Sequence, residues 1–331
     1  MNFASFVARH SLALLMGVAV LRMAAACSSS SSTSNAPDES AGDGGATVIA
    51  NAPGSTFHIK SDGNMLYWSN GFTLVSAPVS GGDSTTILDE AVVLIDVDDT
   101  ALYFVKDSQF YSIPKSGGTM TLLSEGDGDV WVATRGSGGG LVWGRSTPRD
   151  SLPRDYIGPA FTIERSSADG RPPLPLGYSR AIPSALSASN TSAFALFGSA
   201  WLSILPLDGT LGDASAPLSH ELRCSHTALL ADETYAYCFT TNIDRIDSQG
   251  QMTTLLGSAL TAQNGLVVAG MNSTHIYWVN TVLDGYNIMK ISKQGGDAIL
   301  VAHETAKVDA IAADDAAIYW ISDSTMKRLA Q

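Results

Sequence analysis

The chain has 331 residues, 45% of them hydrophobic and 15% charged, with 31 glycines and a formal net charge of −13. Removing residues 1–26 takes away Arg9 and Arg22 and no acids, leaving 17 basic against 32 acidic residues, a net −15. Such a body repels phosphate backbones, which excludes nucleic acid as a partner class, and it gains nothing from anionic lipid headgroups. The composition is globular and turn-rich, far from that of a disordered chain.

The N-terminus carries Arg9 and His10, then an apolar run from Ser11 to Leu21, then Arg22-Met-Ala-Ala-Ala26 and Cys27. A weakly positive start, about eleven apolar residues and a small-residue junction make residues 1–26 a secretory signal peptide. The run is too short to span a bilayer as a helix. Two processing routes fit the junction. Ala24 and Ala26 satisfy the A-x-A rule for plain secretion, while Ala24-Ala-Ala-Cys27 resembles the bacterial lipobox, whose Cys becomes the lipidated N-terminal residue. That resemblance implies acyl chains on Cys27, and more than one chain anchors stably at about 0.8 kcal/mol per buried CH₂. By the same resemblance, Ser28 rather than Asp in the next position permits, in a Gram-negative source, delivery to an outer membrane, on its periplasmic or surface face. Residues 27–45, rich in Ser, Asp and Gly, read as a flexible tether.

From residue 46 onward the chain repeats itself. Ile59-Lys-Ser-Asp-Gly-Asn-Met-Leu-Tyr-Trp68 returns as Val97-Asp-Asp-Thr-Ala-Leu-Tyr-Phe104, as Val268-Ala-Gly-Met-Asn-Ser-Thr-His-Ile-Tyr-Trp278 and as Ile311-Ala-Ala-Asp-Asp-Ala-Ala-Ile-Tyr-Trp320. Weaker copies end at Val142-Trp143, Leu196-Phe197 and Tyr237-Cys238. The marker step falls at 68, 104, 143, 197, 238, 278 and 320, so the intervals are 36, 39, 54, 41, 40 and 42. A period near 40 built from four short strands is the spacing of propeller blades. The apolar run before the Asp-rich turn is the inner strand, and the Tyr-Trp run is the second. Runs such as Tyr111-Ser-Ile-Pro114 are the third, and runs such as Met120-Thr-Leu-Leu123 the outer one. Gly-Gly pairs at 81–82, 117–118 and 295–296 supply positive φ between the third and fourth strands. The last unit stops at a third strand, Thr325–Ala330, and Ala46-Thr-Val-Ile-Ala50 looks like the missing fourth. The expected fold for 46–331 is therefore all-β, a seven-bladed β-propeller closed by an N-terminal strand in the last blade, with a six-bladed ring as the alternative.

Tyr-Trp followed by Pro-x-x-Gly-Gly resembles the propeller repeats of low-density-lipoprotein-receptor type, and it is similar also to repeats of bacterial surface lipoproteins. The receptor-type tetrad is Tyr-Trp-Thr-Asp. Here the tetrads are Tyr67-Trp-Ser-Asn70, Tyr277-Trp-Val-Asn280 and Tyr319-Trp-Ile-Ser322, so the resemblance implies the fold and no ligand.

Three departures from the repeat are candidates for function. The interval of 54 holds surplus residues in 145–159 or 171–183. Arg145, Arg149, Arg154, Arg165, Arg171 and Arg180 cluster there, in a chain where bases are scarce. Arg145, Arg149, Arg154 and Tyr156 form a candidate loop for gripping an anionic or aromatic partner, against the plainer reading of arginines paired with nearby Asp. Cys224 and Cys238 flank the first hairpin of the fifth unit, and export permits a disulfide that staples it, with a bulge to correct the register. Asp96, Asp98, Asp99, Asp314 and Asp315 lie in turns where Asp is ordinary and lack the spacing of a Ca²⁺ loop, so no metal is expected.

The histidines after residue 26 are His58, His220, His226, His275 and His303, spread over different units without metal-ligand spacing. No nucleophile elbow and no phosphate-binding loop is present. The expected function is a non-catalytic cell-envelope lipoprotein, without cofactor, whose propeller binds or scaffolds a protein or glycan. It would touch the membrane through its lipid anchor only. The alternative is a propeller-type hydrolase or lyase with its site at the central channel, assembled from several blades.

Overall fold

The computed structural model describes residues 45–52, 58–124, 130–136, 140–147, 161–166, 173–179, 181–198, 201–209, 222–224, 228–258 and 268–331. Strand β1 (Thr47–Asn51) comes first. Blade 1 is β2 (His58–Ser61), β3 (Met65–Ser69), β4 (Leu74–Pro78) and β5 (Thr85–Leu88). Blade 2 is β6 (Val93–Val97), β7 (Ala101–Lys106), β8 (Gln109–Pro114) and β9 (Thr121–Ser124). Blade 3 is β10 (Val130–Arg135), β11 (Leu141–Ser146), β12 (Phe161–Arg165) and β13 (Leu174–Ser179). Blade 4 is β14 (Pro183–Ala188), β15 (Ser192–Phe197), β16 (Trp201–Pro206) and β17 (Leu222–Arg223). Blade 5 is β18 (Leu229–Ala231), β19 (Ala236–Phe239), β20 (Ile243–Ile246) and β21 (Met252–Leu256). Blade 6 is β22 (Ala269–Met271), β23 (His275–Val282), β24 (Gly285–Ser292) and β25 (Ile299–Glu304). Blade 7 is β26 (Val308–Ala313), β27 (Ala317–Ser322) and β28 (Thr325–Ala330), completed by β1.

The ring thus has seven blades, each a four-stranded antiparallel sheet, and all seven repeat markers fall in second strands. Six blades are ruled out by the count. Closure is as the split last unit implied: Thr47 lies opposite Arg328 and Asn51 opposite Thr325. Among the described residues no helix is long and apolar enough to cross a membrane.

Neighbouring residues of a strand point to opposite faces of the sheet. A Tyr-Trp pair therefore sends one ring into each of the two flanking blades. Trp68 packs with Tyr319 of blade 7, while Tyr67 packs with Phe104 of blade 2. Trp278 meets Tyr237 of blade 5, and Tyr277 meets Trp320 of blade 7. These rings are almost wholly buried. At 150–250 Å² each, burial of such a ring supplies roughly 4–6 kcal/mol of gross stabilisation.

A second repeated device lies at the turn between first and second strands. Asp62 Oδ1 accepts from the amides of Asn64 (3.0 Å) and Met65 (2.8 Å), which makes the turn. Its Oδ2 accepts from Tyr67 Oη (3.0 Å) and from Lys115 Nζ of blade 2 (2.6 Å). Asp98 repeats this with Thr100, Ala101, Tyr103 and Arg135 of blade 3. Asp232 does so with Thr234, Tyr235, Tyr237 and Lys293 of blade 6. Asp314 takes Ala316, Ala317 and Tyr319, and its cross-blade donor is Ser61 Oγ of blade 1 at 2.6 Å. In blade 6 Asn272 holds the Thr274 and His275 amides and donates to Tyr277 Oη (3.3 Å) and to the Asp314 carbonyl (3.3 Å). Each clasp ties its own hairpin, its own tyrosine and the next blade to one side chain.

Burial alone would raise the carboxyls of Asp62, Asp98 and Asp232. The hydrogen bonds from turn amides, tyrosines and, at Asp62 and Asp232, lysines outweigh it and hold all three below the ordinary value. Tyr319 moves the other way, pushed up to about 12 by burial and by its bond to Asp314.

Two outcomes follow for stability. The depressed carboxyls contribute fully above about pH 4, and that part is lost as pH falls through their folded values. The tyrosine part is complete below about pH 10 and is lost as pH rises towards 12. The urea midpoint should accordingly be flat from about pH 6 to 9 and fall beyond 10, and Tyr319→Phe should flatten part of that alkaline fall. Separately, Asp232→Ala leaves Lys293, with a side chain only 8% exposed, without its carboxylate. It should cost about 2–4 kcal/mol in urea denaturation at neutral pH.

Candidate functional site

Antiparallel four-stranded blades divide the turns between two faces. Hairpins joining first to second and third to fourth strands lie on one face. Those joining second to third, and the linkers from blade to blade, lie on the other. The first face carries the Asp clasps and the Gly-Gly turns, where Gly81, Gly117 and Gly295 have φ of 89°, 80° and 88°. Its polar side chains are largely committed to holding blades together.

The hairpin-tip face differs. Phe72 stands in the β3–β4 turn, Trp201 at the start of β16 and Leu283 in the β23–β24 turn, all exposed. Ile182, in the linker into blade 4, is exposed too, and its carbonyl accepts from the Gly198 amide (3.1 Å), which brings that linker to the blade 4 tip. In the sequence Phe72 beside Gly71 and Leu283 beside Asp284 read as strand ends, and nothing in the pattern marks Ile182 or Trp201 as exposed.

Of the candidate partner loop, Arg145 lies within β11 and not in a loop. Its Nε and Nη2 donate to Glu164 Oε2 (2.7 Å) and Oε1 (2.8 Å), and Trp143 Nε1 donates to the same carboxylate (3.1 Å). Glu164 is buried and sits opposite Trp143 in the ladder. Arg145 thus neutralises an interior carboxylate, and its chemistry is that of a buried pair. Arg149, Arg154 and Tyr156 lie outside the described residues, as does Cys27. The surplus of blade 3 falls between Ser146 and Phe161, which pair with each other, so that connection starts and ends on the hairpin-tip face. Arg165 donates to the Leu207 carbonyl of blade 4.

Around the central axis, first strands are linked by charge. Asp96 on β6 lies 3.6 Å from Lys60 on β2 and 3.7 Å from Arg135 on β10, and Arg135 also reaches Asp98 (2.8 Å) and stacks over Tyr103. Asp96 is therefore a strand residue bridging three blades, not part of a turn. Among the described residues no group of three His, Cys, Asp or Glu is placed to hold a metal. His275 contacts Thr274 Oγ1 (2.8 Å), and burial with the nearby Lys290 charge lowers its pKa. His303 Nδ1 lies 2.8 Å from Asn287 Oδ1. His220 and His226 are outside the described residues.

Cys224 and Cys238 are bonded, with Cα atoms 5.7 Å apart. The bond does not staple the first hairpin of blade 5. In that hairpin Cys238 faces Leu229, and Cys224 follows β17, the outer strand of blade 4. The disulfide joins two blades, and the bulge expected from a hairpin register is not needed.

No protein-family model matches the sequence, and no curated protein matches it. Solved structures do. A chain of the mitotic checkpoint complex is 12% identical over 91% of this chain and 99% of its own, with a TM-score of 0.56. The acylaminoacyl peptidase of Pyrococcus horikoshii is 10% identical over 84% of this chain and 52% of its own, with a TM-score of 0.55. YCF48 bound to D1 peptide is 10% identical over 86% of this chain and 94% of its own, with a TM-score of 0.54. Likenesses at such identity show the β-propeller fold alone.

The disulfide closes a short loop, with a sequence separation of 14, so chain entropy assigns it about 3 kcal/mol. The double variant Cys224→Ser/Cys238→Ser should lose about 2–4 kcal/mol in urea denaturation, and the wild-type protein should show the same loss on reduction.

Proposed function

We propose that this chain is a non-catalytic binding module of the cell envelope, exported by residues 1–26 and anchored through acyl chains on Cys27. Its partner binds the hairpin-tip face. The observation that carries this reading is the exposure of Phe72, Trp201, Ile182 and Leu283 on that face, where they add nothing to the blade cores. These side chains stand on the tips of blades 1, 4 and 6, apart from the exposed apolar residues of the outer strands, and such tips are where an interaction surface is sought. Aromatic side chains at the tips of rigid hairpins are the residue type that anchors protein interfaces. A protein partner is favoured over a glycan. The YCF48 structure contains a bound peptide and the checkpoint chain belongs to a complex, both on this same fold. The charges on the first strands, Lys60, Asp96 and Arg135, neutralise one another, which favours binding over hydrolysis at the channel.

The test is envelope cross-linking with the full chain in its native membrane. Wild type should partition with membranes, and Cys27→Ser should release it to the soluble fraction. Phe72→Ser/Trp201→Ser/Leu283→Ser should lose its cross-linked partner at least about tenfold, the scale of one good anchor. Met252→Ser/Ile299→Ser, on outer strands, should keep it. Equal partner yield from the tip variant and wild type would sink the assignment.

A further inference from the structure

The blade 6 tip is built differently from its neighbours. From Trp278 its ladder runs on through Thr281 opposite Tyr286 to Val282 opposite Gly285. In blades 2 and 7 the corresponding ladders end two residues after Phe104 and Trp320, at Lys106 opposite Gln109 and Ser322 opposite Thr325. Two further residue pairs raise the tip by about 7 Å. The extension is braced, because Tyr286 also pairs with Glu304 of β25. Gly285, at φ +154°, approaches Glu304 so closely that a Cβ there would lie 2.1 Å from its carbonyl oxygen. Only glycine permits that approach. The raised, braced hairpin ends in Leu283, which is fully exposed.

Its surroundings on the same face are acidic. Going round the ring from Leu283 and Asp284, the next tips are Asp323-Ser324 in blade 7, Phe72 (76% exposed) in blade 1 and Asp107-Ser108 in blade 2. Asp284, Asp323, Asp107 and Asp89, the last in the linker between blades 1 and 2, are exposed. Among the described residues none of the four takes part in an ion pair. The cations of this arc are already held, Lys106 by Glu90 and Lys307 by Asp309. The chain before Thr47 joins the ring on the opposite face, because β1 is a fourth strand.

We infer that the β23–β24 hairpin is a docking arm for a basic protein segment, with Leu283 as anchor on an apolar stretch of that segment. Lysines or arginines flanking that apolar stretch meet Asp284 on the same tip and Asp323 on the adjacent blade 7 tip, which set orientation and association rate. The inference rests on the binding role of the hairpin-tip face and names the partner's chemistry there. A glycan would find no hydrogen-bonding group in a leucine tip. An anionic lipid surface would be repelled by the four carboxylates.

The experiment measures fluorescence anisotropy of three synthetic 15-residue peptides with the full chain. One has a Leu-Phe-Ile centre flanked by lysines, one has the same centre flanked by glutamates, and one keeps the lysines around a Ser centre. The first should bind, and raising salt should weaken it. Leu283→Ser should weaken it at least about tenfold, and Asp284→Asn/Asp323→Asn severalfold with a shallower salt dependence. Ile299→Ser/Leu300→Ser should leave binding unchanged. No binding by the first peptide, equal binding to Leu283→Ser, or tighter binding of the glutamate peptide would each overturn the arm. So would Leu283-dependent binding to phosphatidylglycerol vesicles in place of peptide. If envelope cross-linking still depends on the tip face while the peptide results fail, the binding module stands and the arm falls. If both fail, both fall.

Discussion

Each blade's second strand must be buried on both faces, and the rest of the ring depends on that constraint. A strand in an ordinary sandwich buries one face and leaves the other to water. In a closed ring of radial sheets both faces of every sheet meet another sheet, so two adjacent residues must both be large and apolar. Tyr-Trp answers this with a polar atom at the end of each ring. Tyr67, Tyr237 and Tyr319 lead their hydroxyls out of the core to Asp62, Asp232 and Asp314 at the blade ends. Trp143 and Trp320 give their indole N–H to Glu164 and Glu304, each in turn neutralised by a cation, Arg145 or Lys327. Buried polar atoms are costly unless partnered. The tyrosines' partners also fix the hairpins and the neighbouring blade, so at these tyrosines packing and polar satisfaction are solved by the same residues, whereas the buried Trp68 Nε1 has no hydrogen-bond partner among the described residues.

Blades 3 and 4 break this scheme together. Gly136 and Ser189 stand where the other blades have Asp or Asn, and Val142 and Phe194 stand where they have Tyr. Ser189 still makes the turn, accepting from the Thr191 and Ser192 amides, but it has no tyrosine or cation to gather. Around these two blades the joints are made by other means. Arg165 reaches the Leu207 carbonyl, the Asn190 amide donates to the Glu233 carbonyl, and the disulfide ties blade 4 to blade 5. The covalent link thus sits beside the stretch of ring that has lost its repeated clasp. Blade 3 also carries the longest second-to-third connection.

Much of this was legible in the sequence because repetition makes errors visible. The marker steps at 68, 104, 143, 197, 238, 278 and 320 all fall in second strands, and the split last blade was evident from Thr325–Ala330 lacking a fourth strand. The clasp is written in the sequence as well, though as part of an ordinary turn. Asp62/Tyr67, Asp98/Tyr103, Asp232/Tyr237 and Asp314/Tyr319 share a spacing of five, yet Asp in a hairpin has so ordinary a role that its second oxygen drew no attention. Other features were beyond reading from one chain. Arg145 reads as a loop residue in an arginine-rich stretch, with a partner or a nearby Asp to hold, because its actual partner Glu164 lies across a connection whose length hides the pairing. Cys224 reads as part of the following hairpin because β17 leaves almost no strand pattern, only Leu222 and Arg223.

The same economy explains where variation is tolerated. Closure, clasps and Gly-Gly turns lie on one face or in the core, so the opposite hairpin tips have little structural duty beyond reversing the chain. Asp107-Ser108 and Asp323-Ser324 do this with two residues at positive φ, the shape demanded of a tight two-residue turn. Asn70 does it by holding the Phe72 and Thr73 amides. A polar residue would serve equally at position 72 or 283, and polar residues are what blades 2 and 7 use. Leucine at the end of the lengthened blade 6 arm, and phenylalanine two blades away, are therefore not explained by folding. Water opposes them, and the ring gains nothing from them. Their exposure is the observation on which the proposed binding role of this face rests.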